Sequence, residues 1–174
     1  QPISSADYGD VICENGLLEQ AQARLADQVA QSLAQGQHPI VLGGGHEVAF
    51  GSFSGLFQYL QKHEPEKNIG IINFDAHFDL REAEQASSGT PFLQAAQLSE
   101  QNAKPFHYLC IGVAKHANTK FLFETADRLN CEYIYDRDVH ISQIERVFKK
   151  VNNFIKKVDY LYITIDLDVF SSSI

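Results

Sequence analysis

Five short apolar runs, at 39–42, 69–74, 107–113, 132–135 and 160–165, are separated by longer stretches whose apolar residues recur every three or four positions. This alternation constrains the fold more than any other feature of the chain. A run such as Ile69-Gly70-Ile71-Ile72-Asn73-Phe74 lacks the polar–apolar alternation of a half-solvated strand, so as a strand it must be covered on both faces. Helices that each carry one apolar stripe supply that cover. The expected fold class is α/β: a three-layer αβα arrangement around a mainly parallel sheet.

The helical stretches read as follows. Over 14–35, Leu18, Ala21, Leu25, Val29 and Leu33 line one face, and Gly36 is a natural stop. Phe50, Phe53, Phe57 and Leu60 do the same over 47–62. A polar, small-residue loop is expected over 81–89, then a helix opened by Pro91, because Pro is favoured in a first helical turn. Further helices are expected over 119–129 and over 141–158, the latter with Ile144, Val147, Phe148, Val151 and Ile155 at helical spacing. The 174 residues suit one domain, 1–174, and no repeat or linker divides them.

Composition narrows the class of function. Lys plus Arg is 14 against 22 for Asp plus Glu, a formal charge of −8. A general nucleic-acid or anionic-membrane binder would need a basic face, so neither partner is expected and a small-molecule substrate is. No apolar run approaches the ~18 residues of a membrane span. Cys13, Cys110 and Cys131 form no CxxC pair and read as reduced thiols, which points to the cytoplasm.

Three segments place hard metal ligands directly after apolar runs. In open α/β sheets, ligands bind in the crevice outside the carboxyl ends of the strands. Asp75, His77 and Asp79 stand at i, i+2 and i+4; were the strand to continue, all three would share one face. Asp166 and Asp168 repeat the spacing with two carboxylates, and His46 follows Gly43-Gly44-Gly45. Four carboxylates in one pocket would drive one another's pKa values up unless cations were present. A pair of divalent cations ~3.5–4 Å apart relieves this and can activate one water. Oxygen and imidazole donors without thiolate suit Mn²⁺ better than a structural zinc. The glycine run lacks both GxGxxG and a following GK[ST], which disfavours a phosphate cradle.

Gly-Gly-Gly-His at 43–46, Asp-Ala-His-Phe-Asp at 75–79 and Asp166-Leu167-Asp168 together resemble the arginase/agmatinase ureohydrolase superfamily. Within it, Asn73 through Arg81 (NFDAHFDLR) and Ser87 through Phe92 (SSGTPF) look most like the formimidoylglutamase branch. The resemblance implies a hydrolase of histidine degradation that cleaves N-formimidoyl-L-glutamate to L-glutamate and formamide. It implies two Mn²⁺ per subunit, one held by His46, Asp75, Asp79 and Asp166, the other by Asp75, His77, Asp166 and Asp168. Asp75 and Asp166 would then bridge, and Asp75, Asp79 and Asp166 would be the catalytic carboxylates, Asp79 steering the attacking water. Arg81 is expected to pair with a substrate carboxylate, with Ser88 and Thr90 as further polar contacts. Lys115, His116 and Asn118 could line the rim. The resemblance leaves room for a homo-oligomer.

Two departures bear on the branch. Arginases and agmatinases carry a histidine in the segment written here Ser-Ser-Gly-Thr-Pro, and this chain has none. The acidic residue that holds a substrate amino group in arginases is missing from 114–118. The chain is expected to be incomplete, cut after Asp168 and before Ser4, because the superfamily continues with further strands and a downstream Glu. Alternative readings are a ureohydrolase that releases urea, an inert metal-binding fragment, and a single-zinc deacetylase-like relative.

Overall fold

The computed structural model describes residues 4–170; the expectations about the chain ends, at Gln1 and over 171–174, lie outside them. Among the described residues one sheet is formed by β1 (Ile69–Phe74), β2 (His107–Val113), β3 (Glu132–Tyr135) and β4 (Tyr160–Ile165) in the order β3-β2-β1-β4. Every pairing is parallel, with Asn73 opposite Cys110 on one side and Thr164 on the other. Helices α1 (Leu18–Ala34) and α2 (Val48–His63) precede the sheet. The crossovers run through α3 (Pro91–Gln101), α4 (Lys120–Arg128) and α5 (Ile144–Ile155). All four strands keep the limits expected from their apolar runs.

Strands β1 and β2 are covered on both faces, as their composition requires. On one side Ile71, Tyr108 and Cys110 pack with Phe53 and Phe57 of α2, Phe92 of α3 and Ala126 of α4. On the other, Ile72, Leu109, Ile111 and Ile134 pack with Val147 and Phe154 of α5. Each fully buried large side chain contributes roughly 1.5–3 kcal/mol. Helix α1 lies outside α2, and Gly51 and Gly55, one turn apart, let the two backbones meet. A Cβ at Gly55 would stand 2.6 Å from the Ala26 carbonyl oxygen.

Three expectations are corrected. Residues 39–42 form no strand: Ile40 is 88% and Leu42 93% exposed, and no described strand lies alongside to pair with them. A lone extended segment has no ladder, so an apolar run by itself is not a strand. The helix expected over 14–35 begins at Leu18, because Asn15 (φ 53°) and Gly16 (φ 71°) take left-handed conformations that no α-helix continues through. The helix expected over 141–158 is interrupted at its start by a 3₁₀ turn and ends at Ile155. At β4 the side chains Ile163 and Ile165 are exposed, whereas Leu161, lower on the same face, packs against the cluster formed with Val147 and Phe154 of α5. No described helix is long and apolar enough to cross a membrane.

Candidate metal centre

The carboxyl ends of β1 and β4 are adjacent, so the residues that follow them are delivered to one place. Ladder hydrogen bonds continue past the strands: the Asp75 amide donates to the Ile111 carbonyl (3.0 Å) and the Asp166 amide to the Phe74 carbonyl (2.8 Å). His46 arrives from the other direction, at the loop that opens α2 above the same face.

Beyond Asp75 the chain does not stay extended. Asp79 lies at φ 48°, a left-handed conformation costing a non-glycine residue about 1–2 kcal/mol. Several contacts hold the turn in place. Phe78 is fully buried, its amide donates to Asn118 Oδ1 (3.0 Å) and its carbonyl accepts from the Tyr108 hydroxyl (2.9 Å). Asn118 Nδ2 donates to the carbonyls of Ala76 (2.8 Å) and Ala114 (2.9 Å), and the Phe92 amide donates to the Asp79 carbonyl (3.1 Å). The expected single face for Asp75, His77 and Asp79 is therefore replaced by a split. Asp75 and Asp79 meet His46, whereas His77 meets Asp168.

The split produces two donor groups that share one carboxylate. His46 Nδ1 lies 2.9 Å from Asp79 Oδ2, 3.0 Å from Asp75 Oδ2 and 3.5 Å from Asp166 Oδ2. His77 Nδ1 lies 2.8 Å from Asp168 Oδ2 and 3.5 Å from Asp75 Oδ1. One group of ligand atoms thus comprises His46, Asp75 and Asp79, and a second comprises Asp75, His77 and Asp168. Asp166 reaches toward the first through Oδ2, while its Oδ1 accepts from the Asp168 amide (3.1 Å). Asp75 is fully buried, whereas Asp166, Asp168 and His77 remain partly open to solvent, which leaves an approach to the cluster.

The protein's own groups leave this cluster short of positive charge. Burial opposes charging of the His46 imidazole, yet its hydrogen bonds to Asp75 and Asp79 prevail and hold its pKa up to about 10. Burial, reinforced by the neighbouring Asp75 charge, pushes the Asp79 carboxyl up to about 6 even though it is bonded to His46. Four carboxylates and two imidazoles, with no thiolate among them, are a donor set that fits hard divalent cations.

The remaining expected residues lie around the loop that follows. The Arg81 amide donates to the Gly89 carbonyl (2.9 Å), and its guanidinium lies over Gly89, where a Cβ would meet Cζ at 3.3 Å. Arg81 lines an open cleft with Glu19, Glu82, Glu84 and Gln94. Ser88 is exposed. Thr90 is buried, and its hydroxyl oxygen accepts from the Ser87 amide (3.0 Å) and lies 2.9 Å from both the Ser87 carbonyl and Gln94 Oε1. Lys115 and His116 are exposed, while Asn118 ties the 75–79 turn to the end of β2. Asn73, Tyr108 and Thr164, which touch the ligands or their turn, were not among the expected residues. Their one signal is a polar group on an otherwise apolar strand, two residues before a carboxylate in the cases of Asn73 and Thr164.

Comparison with known proteins gives the family. The Arginase family model matches residues 1–174. A formimidoylglutamase of Aeromonas salmonicida (strain A449) is 48% identical over 169 residues, which is 97% of this chain and 53% of that protein. One from Chromobacterium violaceum is 48% identical over 167 residues, covering 96% and 53%. The crystal structure of Bacillus subtilis formimidoylglutamase superposes with a TM-score of 0.79 at 21% identity, over 96% of this chain and 51% of that one. Trypanosoma cruzi formiminoglutamase, solved with Mn²⁺, superposes with a TM-score of 0.74 at 20% identity, covering 93% and 52%. The chain spans about half the length of the curated relatives it matches. Ligand spacing, sheet order and family match lead to one conclusion: the chain belongs to the arginase family.

Proposed function

We propose that this chain carries the binuclear manganese centre of a hydrolase that cleaves N-formimidoyl-L-glutamate to L-glutamate and formamide in histidine degradation. The observation that carries the proposal is the sharing of Asp75 between two donor groups of hard ligands. His46, Asp75, Asp79 and Asp166 would hold one cation, and Asp75, His77, Asp166 and Asp168 the other. Such a pair supplies an activated water near neutral pH. The chain's own residues do the rest. Asp79, beside His46 at the left-handed turn, would orient such a water by hydrogen bonding. Phe78 and Phe92 back the turn and His46 and keep that side of the cluster dry.

Arg81 is the basic group we assign to a substrate carboxylate. A guanidinium can bind a carboxylate through two parallel hydrogen bonds, and the acidic chain needs such a local cation to retain an anionic substrate. Ser88 stands beside it as an exposed polar contact. Thr90 contributes by fixing the shape of the loop. Charged hydrogen bonds are worth about 1.5–3 kcal/mol, so Arg81→Ala is expected to lower kcat/KM about 10- to 100-fold, mainly through KM, with metal content unchanged. An efficiency equal to wild type would make Arg81 a loop residue only.

The full protein, loaded with Mn²⁺ and given N-formimidoyl-L-glutamate, is expected to release formamide and glutamate. Release of urea from a guanidino compound, with no turnover of the formimidoyl substrate, would move the assignment to another ureohydrolase. The similarity of the Aeromonas and Chromobacterium formimidoylglutamases over nearly the whole chain supports the first outcome.

A further inference from the structure

One row of the sheet is chemically out of place. In the parallel register Cys110 of β2, Asn73 of β1 and Thr164 of β4 lie side by side, and the next rows on the same face carry Tyr108, Ile71 and Tyr162, then Ile69 and Tyr160. Strand alternation points this row to the α2 side, two residues before Asp75 and Asp166. Each member meets the cluster above it. Thr164 Oγ1 is 3.0 Å from His46 Nε2, the ring nitrogen turned away from the carboxylates. Asn73 Nδ2 donates to Asp75 Oδ2 (3.0 Å) and to the Tyr108 hydroxyl oxygen (3.0 Å). The Cys110 thiol lies 3.3 Å from the His77 carbonyl oxygen.

We propose that Thr164 and Asn73 are positioning residues for the metal ligands His46 and Asp75, an inference that rests on reading the cluster as a metal centre. A histidine that gives Nδ1 to a cation must keep its proton on Nε2, and that proton needs an acceptor. Thr164 supplies the acceptor, and the same bond is made whether Nδ1 faces a proton or a cation. The ring is also held from its side, edge-on to Phe92 with centroids 5.3 Å apart at 80°. Asn73 acts in the same way on Asp75. Turning its amide over would set Oδ1 against the carboxylate, so the amide group must face Asp75. The consequence is visible in the structure: Asn73 is fully buried and its Oδ1 has no hydrogen-bond partner among the described residues. Leaving a buried carbonyl oxygen unpaired is destabilising, and an apolar side chain would avoid it. Asn73 therefore makes sense as a residue kept for what its other atom holds.

The test uses the full protein and Mn²⁺ binding followed by the electron paramagnetic resonance signal of the free ion, alongside thermal melting without metal. Thr164→Val keeps the shape and removes the acceptor; it is expected to weaken Mn²⁺ binding about 10- to 100-fold, the usual effect of losing an outer partner of a ligand. Thr164→Ser, which restores the hydroxyl, is expected to restore affinity, and the metal-free melting temperature is expected to stay near wild type in both. Wild-type affinity in Thr164→Val, or equal weakening in Thr164→Ser, overturns the role of Thr164. Asn73→Leu is measured in parallel and decides the matter if Thr164→Val does not fold: it should bind Mn²⁺ more weakly, and unchanged affinity overturns the proposal. A wild-type protein that takes up no Mn²⁺ fails at an earlier point, the metal centre itself, and both readings fall.

Discussion

Asp75→Asn is expected to lose both cations together. The carboxylate belongs to both donor groups, is fully buried, and is fixed by three hydrogen-bond donors: the His77 amide on Oδ1 (2.7 Å), Asn73 on Oδ2 and His46 on Oδ2. The substitution preserves size and removes only the charge and one acceptor, so what is lost is electrostatic. Replacing outer partners of metal ligands costs about 10- to 100-fold, and loss of a shared ligand is expected to exceed the upper end of that range. Mn²⁺ content per chain, measured after gel filtration, checks it. Asp159→Asn is the control: an exposed carboxylate paired with Lys67 at 3.1 Å, screened by solvent and at the opposite end of β4 from Asp166. If Asp75→Asn retained the wild-type metal content, the shared-carboxylate assignment would be wrong.

Phe78→Ala is expected to have the largest effect on stability. Phe78 is fully buried between the proposed ligands His77 and Asp79, with its ring edge-on to Phe123 (5.0 Å, 88°) and to Tyr133 (5.1 Å, 81°). Truncating a core phenylalanine costs about 3–5 kcal/mol, against a total of about 5–15 kcal/mol for a typical domain. At roughly 2–4 °C per kcal/mol for a chain of this length, the melting temperature should fall about 6–20 °C. The local consequence matters as much. Without the ring, the turn that sets Asp79 at φ 48° keeps only its hydrogen bonds, so Mn²⁺ affinity should fall even at temperatures where the variant is folded. Phe78→Leu, which fills most of the space, should recover part of both losses. Denaturant unfolding with an unchanged m-value would show that the native packing, not the unfolded chain, is affected. A destabilisation below about 1 kcal/mol would mean that the ring is not what anchors the turn.

These two results probe different levels of the same design. Asp75 tests the chemistry that the spacing of polar residues announces. Phe78 tests the packing that converts a linear spacing into a cluster. The apolar residue in the middle of the ligand motif reads as filler between His77 and Asp79. In the structure its ring is buried in the core while its neighbours His77 and Asp79 face the carboxylate cluster.

The strands were legible because each is long enough, apolar enough and bounded clearly enough that local composition and tertiary burial agree. Ile40 and Leu42 show the limit of that reasoning. Their composition is that of a strand, but pairing is a property of two segments, and no described strand stands next to 39–42. The start of α1 shows another, since positive φ at Asn15 and Gly16 depends on how the chain enters the helix and not on the apolar periodicity behind it.

By itself the amino-acid order determined the α/β class, the four strand limits, and the hard donors Asp75, His77, Asp79, Asp166 and Asp168 after strand ends, with His46 after a glycine run. All of these depend on short-range pattern and on side-chain chemistry. Only the tertiary structure decided that β4 lies beside β1, that Asp75 is the carboxylate both groups share, that the 75–79 segment turns instead of running straight, and that Asn73 and Thr164 stand beneath the ligands. Those facts depend on contacts between residues as far apart as His46 and Thr164, 118 positions along the chain. Such contacts form only when burial of the sheet faces brings the segments together, so no window along the sequence contains them.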